Sequence, residues 1–271
     1  MIVRLGGGGH SGAIGKAIGE EGLLIGLDVD PRNLEFADQR LADVPCRRRL
    51  FHASFAELDE VLSQAGIDQV DGILADLGVS TNQLFDEAYG LSFSAPMPLD
   101  MRLDPRIKRT AADLINRMAE AELADLLFGL AQEKASYKIA RKIVAERKRV
   151  PITTTDQLAQ IVRSAIGRSH EKIDPATRTF LALRMAVNDE MNNLRVLVER
   201  GPAMLKPGGR MAVISFQSME DRLVKQGFKI WQDRGEVTIL TKKPIEASED
   251  EVAKNARSRS AKMRIIEKLN H

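Results

Sequence analysis

The chain has 271 residues, 44% of them hydrophobic, with 40 basic against 38 acidic side chains and a net charge of +2. That length and apolar content suit one large domain or a domain with an insertion, and they exclude a disordered chain. A single cysteine, Cys46, excludes an intramolecular disulfide and a cysteine-based metal site.

No stretch reaches the ~18 apolar residues of a membrane span. The opening residues lack the layout of a signal peptide. The expectation is therefore a cytoplasmic protein with no membrane association.

Residues 1–5 (MIVRL) read as a short strand running into the glycine loop 6–11 (GGGGHS), and 12–19 read as a helix. Residues 23–27 (LLIGL) form the next strand, ending at Asp28. Residues 31–41 read as a helix with Pro31 in its first turn. A short strand is expected at 48–52. Residues 55–65 carry Phe55, Leu58, Val61, Leu62 and Ala65 at helical spacing. Residues 70–77 (VDGILADL) read as a strand that closes on Asp76. Such alternation predicts a parallel sheet with helices on both faces.

The alternation stops after Leu99. Residues 111–118, 121–130, 134–147 and 156–166 all read as helices, so 106–176 is expected to be an all-helical insertion. Residues 177–200 read as one long amphipathic helix returning to the core. LKPGGR at 205–210 reads as a tight turn feeding a strand at 211–216. A helix at 218–234 and strands at 237–243 and 262–269 close the chain. There is no internal repeat.

Three features bear on chemistry. Residues 7–12 fit G-x-G-x-x-G, and Asp28 stands about twenty residues on at a strand end, which suits a ribose diol. That pattern alone admits a nicotinamide dinucleotide. Asp76 ends the fourth strand, where ligands of open α/β sheets collect; a carboxylate there needs a partner or a ligand. The LKPGG turn, followed by a strand, a helix and two closing strands, resembles the end of a class I methyltransferase rather than a dinucleotide fold. Residues 134–149 hold many Lys and Arg against Glu146 alone, and 254–264 hold no acid. Such runs are either solvated faces or phosphate contacts.

Ten segments carry a more specific likeness: GGGGHS (6–11), LDVDP (27–31), DGILADLGVSTNQL (71–84), GLSFS and PLDMRLDP (90–94, 98–105), KIARKIVAER (138–147), DPATRTFLALRMAVNDEM (174–191), LKPGGRMAVISF (205–216), SMEDRLVK (218–225) and KNARSRSAKMR (254–264). On these the chain resembles the bacterial ribosomal RNA small subunit methyltransferase H family along nearly its whole length. The resemblance implies a class I S-adenosylmethionine-dependent methyltransferase, a Rossmann-like doubly wound α/β sheet with an inserted all-helical domain. Residues 1–105 and 177–271 would be the core and 106–176 the RNA-recognition insertion.

The implied reaction is N4-methylation of a decoding-site cytidine in 16S ribosomal RNA, with S-adenosylmethionine as donor and the assembled small ribosomal subunit as partner. A homodimer is compatible with it. Gly8, Gly9, His10, Asp28, Phe55, Asp76 and Gln83 match the family's donor contacts. Asp76 is the first candidate to accept an N–H of the cytidine amine, with Ser80 and Gln83 as alternatives. Lys138, Arg141, Lys142 and Arg147 are candidate phosphate contacts. No metal is implied.

The chain departs from the family where Ile2, Val3 and Arg4 stand in place of Asp-Gly-Thr, and where Gln217 stands in place of His. These departures keep open a catalytically weakened RNA-binding relative, which donor calorimetry would distinguish. A dinucleotide oxidoreductase would bind nicotinamide instead. A small-molecule methyltransferase would have no use for the basic helical insertion.

Overall fold

The computed structural model of the chain describes residues 1–168 and 173–270. It comprises two compact units, one of Met1–Val79 with Met191–His271, the other of Ser80–Glu190. The first unit opens with β1 (Ile2–Arg4), α1 (Gly9–Ile18), β2 (Leu23–Asp28), α2 (Pro31–Arg40), β3 (Arg47–His52), α3 (Leu58–Ala65) and β4 (Val70–Asp76). The second holds α4 (Thr81–Phe85), α5 (Ala111–Arg117), α6 (Glu120–Ala131), α7 (Ser136–Arg147), α8 (Thr155–Ile166) and α9 (Ala176–Val187). The chain then returns through α10 (Glu190–Arg200), β5 (Leu205–Ser215), α11 (Ser218–Asp233), β6 (Val237–Ile239), β7 (Ile245–Glu246), α12 (Glu249–Lys254) and β8 (Lys262–Lys268).

The strands of the first unit form one sheet in the order β3-β2-β1-β4-β5-β8-β6, with β7 also paired to β8. Strands β1 to β5 are mutually parallel, and β8 runs antiparallel to β5, β6 and β7. Period-two alternation loads both faces. Val3, Leu24 and Leu74 pack with Ala37 of α2, with Leu41 just beyond it, and with Ile14 and Ile18 of α1. Their strand neighbours Ile2, Ile25 and Ile73 pack on the other face with Val61 of α3, Leu197 of α10 and Phe228 of α11. This is the doubly wound α/β arrangement that the strand and helix rhythm predicts.

Three expectations change, the smallest being the strand expected at 237–243, of which only Val237–Ile239 forms β6. The long helix over 177–200 is instead α9 and α10, broken at Asn188 and Asp189. Asp189 has φ 49°, which an α-helix cannot continue through. Asn188 accepts from Leu103 N at 2.8 Å and donates to Met101 O at 2.8 Å, so its side chain is committed elsewhere. The LKPGG segment is not a turn ahead of β5 but lies within it. The ladder with β4 pairs Val70 with Leu205 and resumes at Gly72 with Arg210, shifting register between them. Gly208, at φ 76°, absorbs the bend.

The second unit is helical by packing as well as pattern. Leu114, Leu123, Leu127, Ile139, Ile143, Leu158, Val162 and Leu183 are all buried. The segment before α5 has no regular structure but is tied down. Leu99 N donates to Thr153 O at 2.9 Å, and Met97 N donates to Thr155 Oγ1 at 3.1 Å. Among the described residues no helix is long and apolar enough to cross a membrane.

Candidate functional site

The sheet order reverses between β1 and β4, so the carboxyl ends of these strands open a crevice. The glycine loop leaves β1 at that point. Gly8 N donates to Leu5 O at 2.7 Å, closing a tight turn. Gly6 and Gly8 take φ 47° and 74°, a region that strains side-chain-bearing residues. At Gly8 a Cβ would also come within 3.3 Å of Arg40 Cδ. Arg40 braces the loop by donating from Nη1 to Gly7 O at 2.7 Å.

Gly8 is the N-cap of α1, and no side chain caps the helix. The first N–H groups of α1 therefore keep their capacity for an anionic group, and the helix dipole favours one there. His10, in the first turn, has a side chain 56% exposed.

Asp28 lies at the end of β2, only 2% exposed. Its Oδ2 accepts from Gly6 N at 2.9 Å and from Asn33 Nδ2 at 3.3 Å, and its Oδ1 accepts from Asp30 N at 3.0 Å. Three of roughly four acceptor sites on the carboxylate are thus used to shape the loop. A ribose hydroxyl would share what remains.

Asp76 ends β4 on the same face. Its Oδ2 lies 3.7 Å from His10 Nε2. Its Oδ1 is buried with no hydrogen-bond partner. Burial pushes the carboxyl above the usual range, while the charges of Arg4 and His10 pull the other way. An unsatisfied acceptor in a crevice beside an uncapped helix start fits a ligand that is cationic at one point and anionic at another.

Phe55 is half-buried and packs one side on the core. It opens a short 3-10 turn held by a capping box, with Ser54 N donating to Glu57 Oε2 at 2.7 Å and Ala56 N to Ser54 Oγ at 3.1 Å.

In the second unit, Gln83 is a buried helix residue. It is 1% exposed at the third position of α4, and its Oε1 accepts from Ser80 N at 3.0 Å. Ser80 Oγ reciprocates from Gln83 N at 3.2 Å, which makes both residues a helix cap.

The four cations of α7 divide. Lys138 and Arg141 are exposed. Lys142 pairs with Glu146 at 2.9 Å. Arg147 instead turns inward, donating to Ile115 O at 2.5 Å and Met118 O at 2.7 Å. It thereby satisfies the last carbonyls of α5.

Two further residues take roles that no sequence motif marks. Arg4 reaches from β1 to donate to Asp76 O at 2.7 Å. Only its place one residue before Leu5 and the loop hinted at this. At the start of α11, Glu220 Oε2 accepts from Phe216 N at 2.9 Å and Gln217 N at 3.0 Å. Gln217 is therefore an N-cap position, and the buried Glu220 satisfies the chain there.

The MraW methylase family model matches residues 3–269. Ribosomal RNA small subunit methyltransferase H of Solibacter usitatus is 47% identical over 260 residues, covering 96% of this chain and 89% of that protein. The proteins of the same name from Syntrophobacter fumaroxidans and Coprothermobacter proteolyticus are 44% and 43% identical. They cover 97% of this chain in both cases, and 88% and 87% of their own lengths.

Proposed function

Because the chain belongs to the MraW methylase family, we propose that it methylates 16S ribosomal RNA of the small subunit, at N4 of a decoding-site cytidine, with S-adenosylmethionine as donor. The observation that carries the reading is the Asp76 carboxylate, with its unpartnered Oδ1, at the end of β4 beside the uncapped start of α1. Bound there, S-adenosylmethionine would supply an electrophilic methyl on a sulfonium and leave as a neutral thioether.

The chain's residues divide the work by chemistry. The N–H groups of Gly9 and His10 suit the donor's carboxylate. The fourth acceptor site of Asp28 suits a ribose hydroxyl, and the open side of Phe55 suits a purine face. The cytidine amine is conjugated with its ring and is a poor nucleophile. It has to be held in line with the methyl at about 3–3.5 Å. Asp76, accepting one of its N–H groups, offsets the positive charge that grows on nitrogen and receives the released proton.

The base has to leave its stack to reach a crevice of this kind. Lys138 and Arg141 are exposed and suit phosphates; Lys142 would trade its Glu146 partner for one. Arg147 drops out of the set because its guanidinium holds α5.

Labelled donor incubated with modification-free small subunits, with the protein-stripped RNA and with DNA tests this reading. Label in the subunit RNA alone supports it. Label in DNA, or in none of the three, refutes it, and RNA binding without donor binding would establish the weakened relative instead.

A further inference from the structure

Strand β1 follows two neighbours for different lengths. With β2 it stays in register to Arg4 opposite Leu27, and Leu5 N still donates to Leu27 O at 2.9 Å. With β4 the register ends earlier, at Val3 opposite Leu74. The crevice starts where that ladder stops. Beyond it the Asp76 carbonyl has lost the main chain of β1, and the Arg4 guanidinium takes over at 2.7 Å.

We propose that Arg4 is a positioning residue that sets both the place and the charge of Asp76 across the crevice. This rests on the reading of Asp76 as the group that faces donor and amine.

Three lines of argument support it. First, the bond is to the main-chain carbonyl, so it fixes the end of β4 whichever rotamer the carboxyl adopts. Second, the carboxyl is desolvated with one oxygen unpartnered. A carboxyl in that state takes up a proton unless a nearby cation opposes it. The charged groups facing it are Arg4 from β1 and His10 from α1, while its register partner on β5 is the uncharged Ile214. His10 is charged only when protonated, whereas an arginine is a permanent cation. Third, an arginine suits the task better than a lysine. Its planar fork holds one orientation, and it cannot lose its charge.

A protonated Asp76 would lose the charge that attracts a sulfonium and could not take up the proton released by the amine. Arg4 would thus keep the site competent while touching neither reactant.

The test is a carboxyl carbon-13 NMR titration of Asp76, assigned through Asp76→Asn, in the wild type, Arg4→Gln and Arg4→Lys. Gln keeps a donor for the carbonyl without the charge; Lys keeps the charge without the fork. The Arg4→Gln midpoint is expected to rise by about one unit or more. Arg4→Lys is expected to stay close to wild type. Calorimetry of S-adenosylmethionine binding against pH should shift in parallel. An unchanged midpoint in Arg4→Gln overturns the proposal, as does a shift in Arg4→Lys as large as that in Arg4→Gln. The titration needs no donor. Absence of donor binding in every protein, wild type included, would therefore refute the functional reading while the midpoints alone judge Arg4.

Discussion

Asp28 Oδ2 accepts the main-chain N–H of Gly6 at 2.9 Å, tying the end of β2 to the first residue of the glycine loop. The acid is therefore a structural member of the loop before it can be a ligand contact. Hydrogen bonds to a charged acceptor contribute about 1.5–3 kcal/mol each, and the Asp28 carboxylate accepts three. Asp28→Asn should lower stability by about 2–3 kcal/mol, read as a shift in the urea midpoint. An isolated ribose-contact role predicts no such loss.

Asp76 makes an opposite prediction. Burial raises its carboxyl value in the fold. For a raised acid, the stabilising contribution is complete below the unfolded value of about 3.9 and is lost as pH rises through the folded value. Asp76→Asn cannot ionise, so it should melt above the wild type near neutral pH and converge with it in acid. Melting curves across that range check the sign. The variant should also lose methyl transfer, a common exchange of stability for function at such sites.

Arg264 and Asp221 join β8 to α11 through bonds of 2.6 and 3.1 Å, with side chains only 9% and 14% exposed. Removing one partner leaves a buried charge, at a cost of about 3 kcal/mol or more. Arg264→Met should show that loss in chemical denaturation. Arg264→Met combined with Asp221→Leu should recover most of it, since the coupling lies in the pair.

The α7 cations should separate by assay. Each phosphate contact on single-stranded nucleic acid contributes about 0.7 to the slope of log affinity against log salt. Lys138→Ala with Arg141→Ala should flatten the slope for small-subunit RNA by about 1.4. Arg147→Ala should leave the slope unchanged and destabilise the protein by about 2 kcal/mol through the exposed end of α5.

Much of this was legible from residue order. The strand and helix rhythm of the first hundred residues gives the doubly wound sheet, because continuous apolar runs such as those around Ile25 and Ile73 can be satisfied only between two helical layers. The breaks were less legible. Asn188 and Asp189 divide a run that looks continuous because the Asn188 side chain is committed to Met101 and Leu103, far away in sequence. At the site, the glycine loop, Asp28 and Asp76 stood out as residue types at strand ends. Arg4 stood out only as a departure from the family and Arg147 only as a phosphate contact, since a guanidinium aimed at a carbonyl leaves no pattern in sequence. Gln83 was marked only by the family likeness, because a capping box with Ser80 looks like an ordinary polar loop.

The most direct measurement is nucleoside analysis of the RNA product. Small subunits lacking the modification are incubated with the protein and methyl-labelled S-adenosylmethionine, and the 16S RNA is digested and chromatographed. The account predicts label in N4-methylcytidine from one decoding-site position, and its loss with Asp76→Asn. Label in a different nucleoside, or N4-methylcytidine formed undiminished by Asp76→Asn, would contradict it.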